Sequence, residues 1–209
     1  MSAPTMTLYY NAASPFARKV VILLHETGQL DRVALHPTLL SPVSPASELN
    51  GDNPAGKIPA LRLADGNVIH DSRVILDYLD HQHVGNPLIP REGPARWRRL
   101  TLASLADALL DAALLIRYEQ ALRAPEKHWD VWLDNQQEKI ERTLSYFEQD
   151  AITELSSSFD VASISVAAAL GYIDFRQPDL AWRNRYPRLA NWYFEVSERP
   201  SMQATVPSV

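Results

Sequence analysis

No cysteine occurs among the 209 residues of this chain. That absence removes structural disulfides, thiolate metal sites, cysteine nucleophiles and any redox role run by the protein's own thiols. The opening residues, MSAPTMTLYY, lack the basic start and long apolar centre of a secretory signal. Long apolar runs are missing too. The best, residues 108–116, is short and interrupted by Asp111, so no membrane span is expected. Excess positive charge is also absent: the net charge is −5, which argues against a nucleic-acid partner. The one basic cluster, Arg96, Arg98 and Arg99, suits a solvated or salt-bridged helix face. A cytoplasmic protein is expected.

What is present is an ordinary globular mixture. With 46% hydrophobic and 22% charged residues the chain can bury a core, and its length admits one large or two small domains. Residues 6–10 read as a strand, followed by a short turn and the stretch 14–28, SPFARKVVILLHETG. Pro15 suits a first helical position, Ser14 the N-cap before it, and Gly28 the C-terminal stop. Strands are expected at 32–36 and 57–63, with at most a short helix near 46–49 in the Pro- and Ser-rich segment between them. A turn at Asp65-Gly66 leads to a strand over 67–70, and Asp71-Ser72 opens a helix with Val74, Ile75, Tyr78 and Leu79 on one face.

After the Pro- and Gly-containing segment VGNPLIPREG the pattern becomes helical. Helices are expected over 95–123, 127–149, 161–175 and 187–198, the first with a buried stripe at Leu102, Ala106, Leu109, Ala113 and Ile116. The expected architecture is α/β followed by all-α: a domain over 1–85, a linker over 86–92 and a helical domain over 93–209.

Three loops converge at one end of the expected sheet. The first carries Ser14, whose hydroxyl sits among unpaired N–H groups at a helix start. The second, NPAGKIP, brings Ile58-Pro59; if that bond is cis, the Ile58 backbone faces outward and can pair with an extended peptide. In the third, Asp71 can take an ammonium while the helix start capped by Ser72 favours a carboxylate, and Lys57 can hold a second carboxylate. Singly, each has a plainer reading: a cap for Ser14 and for Asp71-Ser72, an edge-strand start for Pro59, a surface lysine for Lys57. Together they describe a site for a short peptide with an amino-acid head and a terminal carboxylate.

At these residues the chain resembles the cytosolic glutathione transferase family. SPFARK, NPAGKIPAL and a D-S helix start follow one another as in that family's thioredoxin-like domain, and YPRLANWYFEVSERPSMQATVP is similar to its C-terminal signature. The resemblance implies glutathione as cosubstrate, no metal, a hydrophobic electrophile as second substrate and a homodimer. It implies that Ser14 faces the glutathione sulfur and activates the thiol. Ile58 would pair with the cysteinyl backbone, Lys57 would lie near the glycyl carboxylate, and Asp71 with Ser72 would hold the γ-glutamyl end. Serine where related classes carry cysteine removes mixed-disulfide chemistry.

Two features depart from the family pattern. Asp71 stands where glutamate is usual, and Asp160-Val-Ala-Ser163 reverses the usual order of a capping box. Tyr9 and Tyr10 are rival activators of the thiol. Asp111 and Tyr118, one stripe with Asp107 on the long helix, are candidates for the second-substrate pocket. His81 and His83, two apart on a helix, do not face one another, and the remaining histidines are isolated, so no metal site is expected. A non-catalytic interaction module of the same fold and a glutathione-dependent peroxidase or isomerase remain as alternative readings.

Overall fold

A computed structural model describes residues 4–208. The chain divides into two compact units: residues up to Arg91 together with those from Pro200 onward, and Glu92–Arg199. Residues 200–208, grouped with the helical domain by the sequence reading, pack with the first unit.

The first unit is built on a four-stranded mixed sheet of order β2-β1-β3-β4. Strand β1 (Met6–Tyr10) pairs in parallel with β2 (Val33–Pro37) and antiparallel with β3 (Ala60–Arg62), which pairs antiparallel with β4 (Val68–Ile69). Alternation sends Leu8 and Tyr9 to opposite faces, and both are buried, so the sheet is covered on each side. On the Tyr9 side lies α2 (Ser47–Asp52), whose Leu49 packs with Tyr9 and Ala60. Helices α1 (Pro15–Glu26) and α3 (Ser72–Asp80) pack against each other.

The end of α1 is a Schellman motif. Gln29 N–H donates to Leu24 C=O at 2.8 Å and Gly28 N–H to His25 C=O at 3.2 Å, with Gly28 at φ +64°. The buried Gln29 amide then donates to Leu79 C=O at 3.0 Å, tying the ends of α1 and α3. In α3 the buried face is Ser72, Ile75, Leu76, Leu79 and Asp80, spaced as one helical stripe; Val74 faces solvent, correcting the expected face. Strands β3 and β4 are shorter than expected, because Lys57, Ile58 and Pro59 belong to the loop that enters β3.

The segment read as a linker is strapped down. Asp80, fully buried, accepts from Leu88 N–H at 2.7 Å and Ile89 N–H at 3.2 Å and pairs with Arg91 at 3.2 Å and His83 at 3.1 Å. The short helix α9 (Pro200–Gln203) packs on α1, where Arg18 donates to Met202 C=O at 3.3 Å and Ser201 to Glu26.

The second unit centres on α7 (Val161–Arg176), buried at every residue from Val161 to Ile173. A helix apolar on all sides can only lie inside. It packs against α4 (Gly93–Leu122), whose expected stripe is buried throughout. Asp160 caps α7, accepting from Ala162 and Ser163 N–H, and pairs with Arg99 at 2.9 Å. Among the described residues Ser163 makes no reciprocal contact; its single hydroxyl proton lies between the Ser158 and Leu155 carbonyls, at 2.8 and 3.1 Å. Arg98 forks onto Glu154 and holds that carboxyl below its usual range, so the basic cluster is salt-bridged.

The helix expected over 127–149 starts later, as α5 (Asp130–Tyr146), after a turn at Pro125–Lys127. It widens into a π turn over Phe147–Ala151 before α6 (Ile152–Leu155). Glu148 in that turn accepts from Arg188 N–H at 3.1 Å and Leu189 N–H at 2.7 Å, and so caps α8 (Pro187–Ser197) from 40 residues away.

Candidate functional site

Strand registers fix which loops meet. Tyr9 stands opposite Ala60, and Leu61 opposite Ile69. The chain leaving β1 towards Ser14, the residues entering β3 from Ile58-Pro59 and the residues leaving β4 towards Asp71 therefore emerge at one end of the sheet. Tyr10 stands opposite Pro37, which adds the start of the segment after β2.

At the first loop, Asn11 sets the turn. Its side-chain oxygen accepts from Ala13 N–H at 2.9 Å, its amide donates to Thr38 C=O at 3.3 Å, and its own C=O accepts from Ser14 N–H at 2.9 Å. Ser14 is the N-cap of α1, in extended conformation, and its Oγ accepts from Ala17 N–H at 3.2 Å. A hydroxyl has two acceptor positions and one proton, so this cap leaves the proton available to donate.

The second loop is organised by Asn53, which the sequence reading passed over. This buried side chain donates to Lys57 C=O at 2.7 Å and accepts from Ala55 N–H at 3.1 Å. Gly56 takes φ +60°, and a Cβ there would stand 2.8 Å from Asn50 Oδ1. The Ile58–Pro59 bond is cis. Ile58 is half-buried, and among the described residues none pairs with its backbone N–H or C=O. Lys57 is exposed.

The third loop corrects the expected cap. Asp71, not Ser72, is the N-cap of α3, accepting from Arg73 N–H at 2.9 Å; Ser72 is the first helical residue and is buried. The Asp71 carboxylate also pairs with the Arg73 guanidinium at 2.7 Å, and that contact holds it below its usual range. An ammonium arriving here shares the carboxylate with Arg73.

Tyr9 is otherwise employed. Burial and a hydrogen bond to Asp52 push its hydroxyl up to about 12, and Asp52 also pairs with Arg62. A phenol donating to a carboxylate is poorly placed to stabilise a second anion, so Tyr9 is a structural residue of the α2 side.

On α4, Asp111 is exposed and Tyr118 half-buried, with its hydroxyl raised by burial. Asp107 is buried. Among the described residues no group of three histidine, cysteine or acidic side chains is placed to hold a metal. His81 contacts Asp77 C=O at 2.7 Å and His83 contacts Asp80. Among the same residues no helix is long and apolar enough to cross a membrane.

Family models of the glutathione S-transferase N-terminal and C-terminal domains match residues 13–82 and 130–193. A GST-like protein of Escherichia coli, YibF, is 31% identical over 97% of this chain and 98% of its own. The chain belongs to the glutathione S-transferase family. A glutathione transferase family member from Pseudomonas fluorescens Pf-5, solved with bound glutathione, is 67% identical over 98% of this chain and all of that one, with a TM-score of 0.97. A second structure from that organism, with bound S-(propanoic acid)-glutathione, is 65% identical with a TM-score of 0.92 and the same coverage. The mixed sheet followed by a helical unit is the transferase fold of these structures. Ser14, Lys57, Ile58, Asp71 and Ser72 lie inside the stretch matched to the N-terminal model, whereas Asp111 and Tyr118 fall between the two matches.

Proposed function

We propose that this transferase-family chain binds glutathione at the three-loop end of its sheet, lowers the pKa of the bound thiol and transfers the sulfur to an electrophilic carbon. The observation that carries the reading is Ser14: its oxygen is held by Ala17 N–H at the start of α1, so its proton is left to donate to a sulfur. The glutathione bound by the Pseudomonas fluorescens relative at 67% identity supports the ligand.

In this reading the Ile58 backbone pairs with the cysteinyl residue as an added strand, and Lys57 faces the glycyl carboxylate. Ser72 and the N-terminus of α3 take the γ-glutamyl carboxylate, and Asp71 takes its ammonium. The thiol proton leaves to solvent. The Ser14 hydroxyl and the positive end of α1 stabilise the thiolate, whose lone pair forms the new S–C bond as the leaving group departs with its electrons, or as a conjugated π pair shifts to a neighbouring atom and is protonated. Asp111 and Tyr118 are assigned to the second substrate.

Calorimetry with glutathione tests the reading. Wild-type protein should bind, and Ser72→Ala should weaken binding by about three- to tenfold, the range for one lost hydrogen bond. Absence of binding at millimolar glutathione refutes it.

A further inference from the structure

Asn53 engages one short loop with both its backbone and its side chain. Its N–H donates to Leu49 C=O at 2.7 Å and its C=O accepts from Gly56 N–H at 2.8 Å, so main-chain bonds alone close the turn over 53–56. The side chain, on a residue 1% exposed, reaches further. Nδ2 donates to Lys57 C=O at 2.7 Å while Oδ1 accepts from Ala55 N–H at 3.1 Å. The bond to Lys57 C=O lies beyond the closed turn and fixes something the turn does not.

What it fixes is the orientation of a peptide plane. A carbonyl and the N–H that follows it share one plane and, in a trans peptide, point to opposite sides. The Lys57–Ile58 bond is trans. With the Lys57 carbonyl drawn in to the buried Asn53 amide, the Ile58 N–H points away from it, and among the described residues nothing pairs with that N–H. The next plane supplies no substitute donor, because Pro59 carries no N–H and leaves only the Ile58 carbonyl. A donor and an acceptor on the same residue are what an extended peptide needs to pair as an added strand. Were the Lys57–Ile58 plane reversed, such a ligand would meet two carbonyl oxygens and no donor.

We infer that Asn53 is a positioning residue of the glutathione site: by holding the Lys57 carbonyl it aims the Ile58 N–H at the cysteinyl carbonyl of the ligand. The inference rests on the transferase reading. It gives Asn53 no contact with glutathione and no part in the bond changes at sulfur.

Asn53→Asp tests it with almost no change of shape. The carboxylate keeps an acceptor for Ala55 N–H but has no proton for Lys57 C=O, so two oxygens face each other and repel. In isotope-labelled wild-type protein followed by NMR, saturation with glutathione should move the Ile58 amide proton downfield and slow its exchange with solvent. In Asn53→Asp the affinity for glutathione should fall about tenfold, the scale of one lost hydrogen bond, and the Ile58 amide should stop responding. The thiolate midpoint of the glutathione still bound should stay at its wild-type value, whereas a general loosening of the site would move it too. Asn53→Ala removes the donor without adding repulsion; it should lower the affinity and silence the Ile58 amide as well, and it decides the matter if the aspartate variant fails to fold. Glutathione binding that leaves the wild-type Ile58 amide unchanged overturns the inference. So does a folded variant with wild-type affinity, with an Ile58 amide that still responds, or with a displaced thiolate midpoint. Failure of the wild-type chain to bind glutathione refutes instead the transferase reading beneath it.

Discussion

Replacing Ser14 by alanine removes two separable things. One is the cap: Oγ no longer accepts from Ala17 N–H, which costs about 1 kcal/mol and lowers the melting temperature by about 2–4 °C. The other is the donor to sulfur, worth about 1.5 kcal/mol for a bond to a charged acceptor, or about one pKa unit. A free thiol titrates near 8.5; if the serine hydroxyl and the helix start together lower it to about 6.5, the alanine variant should titrate near about 7.5. The sign follows from the thiolate being the stabilised form: losing a donor to it raises the pKa, so the ascending limb moves to higher pH. At about pH 6.5 the ionised fraction drops from about one half to about one tenth, and turnover falls about fivefold. Well above both values the two enzymes converge. The assay is ultraviolet titration of the thiolate in the enzyme–glutathione complex, which needs no electrophile. Ser14→Thr, with hydroxyl and cap retained, should titrate near wild type. Coincident midpoints for Ser14→Ala and wild type, with glutathione bound to both, refute Ser14 as the activator.

Three further outcomes follow from contacts in the first unit. Gly56→Ala places a Cβ 2.8 Å from Asn50 Oδ1 at φ +60°, so it should cost about 1–2 kcal/mol and weaken glutathione binding, read by thermal melting and calorimetry. Tyr9→Phe removes the main cause of the lowered Asp52 pKa. The stability Asp52 contributes is present above the usual carboxyl value and lost as pH falls through its lowered folded value, so the gap between wild type and variant in urea melts should narrow below about pH 4. Asp80→Ala leaves the Leu88 and Ile89 N–H groups and the Arg91 guanidinium without their carboxylate, and should cost about 3 kcal/mol in urea unfolding.

The parts of this molecule that could be read from the sequence are those whose causes are local. Ser14 before Pro15 announces a cap three residues from the N–H that donates to it, and the α4 stripe repeats every turn. Asp71-Ser72 announced a helix start but not which residue caps it, because both types are good caps and only the backbone at Asp71 separates them. What escaped depends on contacts distant in sequence. Glu148 caps a helix 40 residues further on, and Asp80 reaches 8 to 11 residues to hold the segment that composition marked as a linker. Asn53 reads as an ordinary loop residue until its bond to Lys57 C=O shows it shaping the second loop. Tyr9 read as a rival activator because nothing in a strand sequence announces Asp52 as its partner.

The packing of α9 on α1 has a consequence for how the protein is made and cut. The first unit draws on residues up to Arg91 and from Pro200 onward, so a growing chain that has reached only Arg91 still lacks the helix that Arg18 and Glu26 receive. A single nick between the units does not yield an intact first half either. It leaves α9 on the other fragment, joined to the rest of the first unit only by its non-covalent contacts with α1, so that unit is complete only when both of its chain segments are present.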